Sequence, residues 1–157
     1  MRVISRREFI KLTGATALCA CAGAGISGCA NSAGVSSIPL APEGSYRQEG
    51  DRVVLSLTAA DQLTPVGGAV RLAVDGEGGE ELKMVIIHPE GEDFRAFADR
   101  CTHNGKELNY LAEDRKLLCR SGKSHFDLEG NVLKGPAASA LLAYPARREG
   151  DRLVLEV

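Results

Sequence analysis

From residue 49 to residue 157, apolar residues come in short runs, most of them closed within a few positions by Gly, Pro, Asp or Asn. Arg52–Leu57, Ala69–Val74, Leu82–Ile87, Phe94–Phe97, Lys116–Leu118 and Arg152–Leu155 read as strands. Beyond the first thirty residues no segment keeps a helical period past two turns. The pattern predicts an all-β domain, an antiparallel β-sandwich or small barrel. Gly76-Glu77-Gly78-Gly79 reads as a hairpin turn, since no Lys or Ser follows at the spacing of a phosphate loop. Glu113-Asp114-Arg115-Lys116 reads as a turn with compensating charges. The segment Glu49-Gly50-Asp51-Arg52-Val53-Val54-Leu55 is echoed by Glu149-Gly150-Asp151-Arg152-Leu153-Val154-Leu155. If both strands lie in one sheet, the two ends of the domain meet in a base and the middle of the chain is carried away from it.

The N-terminal residues follow a different rule. Residues 1–28 form a processing segment in which Arg6-Arg7 precede Phe9-Ile10-Lys11, a resemblance to twin-arginine (Tat) export signals. Ile26-Ser27-Gly28-Cys29 resembles a lipobox, which implies lipidation of Cys29 and tethering to a membrane surface. An uncleaved N-terminal anchor is the alternative, but Gly14, Gly23, Gly25 and Gly28 dilute the apolar run below a stable span of about 20 residues. Residues 29–48, rich in Ser, Gly, Pro and Ala, are expected to be a flexible tether, and 49–157 the folded domain. The expected localisation is periplasmic or on the extracytoplasmic face, membrane-tethered.

Composition narrows the function. The 157 residues carry 19 basic and 21 acidic side chains, and setting aside residues 1–28 leaves 15 basic against 20 acidic, so no cationic excess follows a phosphate backbone. Nucleic acid is therefore not an expected partner. No Ser, His and Asp set stands in a nucleophile-elbow context, and no carboxylate pair separates itself from the charged surface. Past Cys29 the chain holds two Cys and three His, and four of these five fall within the 25 residues 101–125. His88, just ahead of Pro89 at a strand end, reads as a surface turn residue.

The remaining four are Cys101 and His103 in Cys101-Thr102-His103-Asn104-Gly105, then Cys119 and His125 in Cys119-Arg120-Ser121-Gly122-Lys123-Ser124-His125-Phe126-Asp127. Gly130, Gly135 and Pro136 follow. The two stretches resemble the loops of a Rieske 2Fe-2S domain, one reading Cys-x-His-x-Gly and the other Cys-x-x-His, before a Gly-Pro loop. The resemblance covers about residues 50–157 and implies a Rieske-like fold with a two-loop cluster-binding part at about 99–137. It places Cys101, His103 and Cys119 on ligand positions, whereas the second His position falls on Gly122. The Cys pair that forms a disulfide in respiratory members falls on Lys106 and Ser121, and Lys123 replaces a Gly. The fourth ligand is then expected from His125, although five residues rather than two separate it from Cys119.

The resemblance implies a 2Fe-2S cluster in which two thiolates hold one iron and imidazoles the other, and exchanging thiolate for imidazole raises the potential. The expected function is single-electron transfer at the envelope to or from a redox partner such as a cytochrome or a quinol-oxidising complex. An acidic body favours a basic partner. Two alternatives stay open on the same residues. One is a cluster-free adaptor lipoprotein with a Cys101–Cys119 disulfide. The other is a zinc site, for which Cys-x-His is an unusual spacing.

Overall fold

The computed structural model describes residues 37–157. The expected export signal at 1–28, Cys29 and the first part of the expected tether lie outside the described residues.

Twelve strands build three four-stranded antiparallel sheets: β1 (Tyr46–Glu49), β2 (Arg52–Ser56), β3 (Ala69–Asp75), β4 (Glu81–Glu90), β5 (Asp93–Ala98), β6 (Leu108–Leu111), β7 (Lys116–Cys119), β8 (His125–Phe126), β9 (Val132–Lys134), β10 (Ala143–Tyr144), β11 (Ala146–Glu149) and β12 (Arg152–Glu156). The base sheet runs β1-β2-β12-β11, the middle sheet β10-β5-β4-β3 and the distal sheet β6-β7-β8-β9. The repeated Glu-Gly-Asp-Arg segments are two matching hairpins: Glu49 pairs with Arg52 and Glu149 with Arg152. Their second strands pair with each other, Val54 opposite Val54's echo Val154, so the ends of the domain meet in one sheet as the pattern implied.

Two cores lie on the two faces of the middle sheet. Met84 and Ile86 of β4 join Val53, Leu55, Leu153 and Leu155 of the base sheet. Val85 and Ile87 join Leu108, Leu117 and Phe126 of the distal sheet. Because successive side chains of a strand face opposite ways, a strand buried on both sides must be apolar throughout. That is why Met84-Val85-Ile86-Ile87 has no polar alternation. A bulge after Ile87 accommodates Pro89, which cannot donate to the ladder. His88 is not on the surface: it is 4% exposed, stacks on Phe94 with ring centroids 4.3 Å apart, and sets Nδ1 and Nε2 each 2.8 Å from the carbonyl oxygens of Thr64 and Gly91.

The domain also begins earlier than residue 49. Ile38 is buried, and Leu40 bridges the edge strand β3 at Arg71, where the Arg71 N–H donates to Pro39 O and the Ala41 N–H to Arg71 O, both at 2.7 Å. A stretch without apolar period is held here by backbone hydrogen bonds and one anchor side chain. Residues 37–48 thus belong to the fold and not to a free tether.

The distal sheet is fastened to the middle one by a buried ion pair. Arg71 on β3 binds Asp99, whose side chain is fully buried, and Asp99 accepts the Leu108 N–H at 2.7 Å while Arg71 donates to Leu108 O at 2.7 Å. Removing one member strands a buried charge, which costs about 3–5 kcal/mol. Asp99→Ala is therefore expected to lower the unfolding free energy by about that amount in urea titration. Replacing both partners with apolar residues should recover part of the loss.

Candidate functional site

The first loop, residues 99–107, leads into β6, and the second, residues 120–124, leaves β7. The β6–β7 hairpin pairs Leu108 with Cys119, so its register brings the open ends of both loops together. In the first loop the Cys101 N–H donates to Lys106 O at 2.7 Å and the Gly105 N–H to Cys101 O at 2.8 Å, with Gly105 at φ 70°. In the second the Gly122 N–H donates to Cys119 O at 2.7 Å and the Cys119 N–H to Ser124 O at 2.9 Å. The loops are also joined directly, since the Arg120 N–H donates to Glu107 O and the Arg120 guanidinium binds the Glu107 carboxylate at 2.7 Å.

Cys101 and Cys119 are both free thiols and both buried. They belong to one buried cluster, together with Leu108, Leu117 and Phe126. Burial pushes the Cys119 thiol up, but hydrogen bonds from the Ser121 hydroxyl and backbone and from the Cys101 thiol, with the nearby Lys106 ammonium, hold it on balance below the ordinary thiol range. The Ser121 Oγ lies 3.1 Å and the Asn104 Oδ1 3.5 Å from Cys119 Sγ. A thiol that ionises readily is the form metals take. Notably, Lys106 and Ser121 stand at the two positions where respiratory relatives were expected to carry the clamping disulfide.

The segment after β9 covers the site from one side. Ser124 is fully buried, and its Oγ accepts the Ala137 N–H at 3.1 Å, tying Gly135-Pro136-Ala137 to the second loop. Thr102 Oγ1 donates to Ser139 O at 2.8 Å, tying the same segment to the first. Asp127 caps the turn that leads there, accepting the N–H groups of Glu129 and Asn131. Gly130 is required by close approach, because a Cβ there would sit 2.9 Å from Phe97 Cε1.

The two His are placed differently from each other. His103 is exposed on the first loop, two residues from Cys101. His125 lies in β8 opposite Leu118 and Lys134. Cys119 shares the other face of the sheet, with Leu117 and Phe126 in the core. The structure therefore brings Cys101 and Cys119 together and keeps His125 away from them. Among the described residues no three His, Cys, Asp or Glu side chains are gathered as a metal site. Sequence reading marked Lys106 and Ser121 only as the positions of a missing disulfide; that Ser121 and Asn104 approach the Cys119 sulfur depends on how the two loops fold.

A sequence profile of the Rieske [2Fe-2S] domain matches residues 55–145, more than half of the chain. The chain belongs to the Rieske [2Fe-2S] domain family. Curated relatives include the cytochrome b6-f complex iron-sulfur subunit 1 of Nostoc sp., 31% identical over 85 residues that cover 54% of this chain and 48% of that one. Another is the ferredoxin component of the alkene monooxygenase system of Xanthobacter autotrophicus, 30% identical over 77 residues, covering 48% of this chain and 62% of the other. The chain thus spans about half the length of the curated relatives it matches. The ferredoxin of carbazole 1,9a-dioxygenase from Nocardioides aromaticivorans shares the Rieske fold, at 21% identity and a TM-score of 0.50, over 66% of this chain and 93% of that one.

Set against this Rieske membership, the donor chemistry fits in part. Two adjacent thiols suit one iron, and His103 stands on the matching loop as a donor for the other. Gly122 supplies nothing at the fourth position. In the metal-free protein, Ser121→Ala removes a hydrogen bond that favours the Cys119 thiolate. The midpoint of the thiolate ultraviolet absorbance is expected to move to higher pH, and an unchanged midpoint would show that Ser121 does not tune this thiol.

Proposed function

We propose that this protein is a Rieske-type carrier of single electrons at the bacterial envelope, with Cys101 and Cys119 holding one iron of a 2Fe-2S cluster and His103 serving the other. The observation that carries the reading is the convergence of two cysteines 18 positions apart in the chain, both in one buried cluster where the Arg120 N–H bond to Glu107 O joins their loops. When bound, such a cluster supplies a one-electron couple whose potential rises where imidazole replaces thiolate. The chain's own part is to fix two sulfurs on rigid hairpin ends, exclude water from them with the Ala137 segment, and leave the His103 side exposed for exchange with a partner. The relatives named above, a cytochrome b6-f subunit and a monooxygenase ferredoxin component, support electron transfer as the role. A cytochrome or a quinol-oxidising complex is the partner class this reading favours, and the acidic body suits a basic docking face.

The envelope location rests on the twin-arginine and lipobox residues that end at Cys29. Among the described residues no helix is long and apolar enough to cross a membrane.

A second reading has its own support. Gly122 at the fourth position and His125 on the far face of the sheet favour a cluster-free adaptor built on the same scaffold. Anaerobically purified protein lacking residues 1–28 separates the two. The carrier is expected to be brown, with the low average g value of a mixed-ligand cluster after dithionite, and Cys101→Ser or Cys119→Ser is expected to lose essentially all iron. A colourless protein with Cys101 joined to Cys119 is the result that favours the adaptor.

A further inference from the structure

We infer that the end of the domain carrying the two cysteines is a cationic docking face, and that the partner protein meeting it presents an acidic patch. This deepens the carrier reading by naming the charge of the partner's contact surface, and it rests on that reading only for what passes across the contact.

The acidic excess of the domain is not spread evenly. The first loop (99–107), the second loop (120–124) and the covering segment from Lys134 to Leu142 hold five basic residues, Arg100, Lys106, Arg120, Lys123 and Lys134, against two acids, Asp99 and Glu107. The rest of residues 37–157 holds ten basic and eighteen acidic residues. Both acids at the loop end are already engaged, since Asp99 is buried against Arg71 and Glu107 binds Arg120 at 2.7 Å. Arg100, Lys106, Lys123 and Lys134 are exposed, and among the described residues none of them forms an ion pair. The basic face that the acidic body suits therefore concerns its base and flanks, and the sign reverses at the loops.

The fold fixes these charges in place. Arg100 lies over the first loop, its Nε 3.4 Å from the place that a Cβ on Gly105 would take. Lys123 stands between Gly122 and the buried Ser124, whose hydroxyl anchors Ala137. A groove of about 490 Å³, lined by Gly105, Lys106, Glu107 and Arg120, lies between the two loops. The covering segment past Lys134 adds apolar surface without charge: Pro136, Ala138 and Ala140 are exposed, and Leu142 is 61% exposed. Thr102 donates to Ser139 O and the Ala98 N–H to Leu142 O, both at 2.8 Å, so this strip is held against the first loop and the end of β5. Apolar surface rimmed by uncompensated cations suits a protein contact, in which the apolar part excludes water and the charges steer and orient the partner. A membrane surface would ask for more than the one large apolar side chain, Leu142, that the strip exposes.

The test titrates the purified, isotope-labelled full chain with a short poly-glutamate peptide as a model acidic patch and follows amide chemical shifts. The shifts are expected to cluster at 99–107, 120–124 and 134–142. At about 0.1 M salt, where charges beyond roughly 10 Å are screened, Arg100→Glu, Lys106→Glu and Lys123→Glu together should weaken binding by about tenfold. Arg52→Glu, Arg147→Glu and Arg152→Glu on the base sheet change the net charge equally and should leave binding within about twofold. Equal losses from the two triple variants, or shifts centred outside the loop end, overturn the inference. Phosphatidylglycerol vesicles should co-sediment equally with the wild type and the loop variant; vesicle binding that the loop variant alone loses assigns the face to a membrane and also overturns it. These outcomes leave the carrier reading standing, whereas absence of iron and labile sulfide from the wild-type protein removes that reading and leaves the docking face in place.

Discussion

Everything at the distal end of this molecule depends on the register of one hairpin. Pairing Leu108 with Cys119 makes the entrance of β6 and the exit of β7 neighbours, so the loop that carries Cys101 closes toward the strand end that carries Cys119. Each loop then satisfies its own backbone polar groups internally, through Cys101 to Lys106 and Cys119 to Ser124, which removes the need for water inside the turn. The buried Arg71–Asp99 pair holds the first loop and Leu108 to the middle sheet. Two cysteines are thereby brought into one buried cluster by backbone pairing, before any metal contributes. A pair prepared in this way loses little freedom on binding a ligand.

The layering explains which strands are legible in a sequence. Strands β3 and β12 alternate between buried and more exposed positions, while β2, β4 and β5 carry consecutive buried residues and read as apolar runs; each announces itself. The two-residue strands β8 and β10 and the three-residue β9 are too short to carry a period. They exist because neighbouring strands offer them hydrogen bonds. The stretch from Ile38 to Gln48 is hidden for a related reason, since its order comes from Arg71 at the edge of β3 and from pairing with β2, and not from its own composition. His88 misleads because a His-Pro pair at a strand end normally marks a surface turn, and here a bulge folds it onto Phe94.

The site divides in the same way. Cys-x-His, the interval to Cys119 and the Gly-Pro segment are properties of spacing, and spacing survives into the structure. Which face a residue occupies depends on a period of two, and a displacement of one position reverses it. His125 sits between Ser124 and Phe126, so the burial of those two neighbours sends it to the face opposite the thiols. No count of intervening residues could reveal that. The tuning of Cys119 was likewise invisible, because Lys106 comes from the other loop and the Ser121 hydroxyl, two residues on, reaches the sulfur only through the turn the second loop adopts.

Native mass spectrometry of the folded, anaerobically purified protein tests the central claim most directly, that two converging thiols exist to hold a diiron centre. The account expects a mass exceeding the bare chain by two irons and two sulfides. A metal-free mass two hydrogens below that of the reduced chain, with Cys101 linked to Cys119, would contradict it.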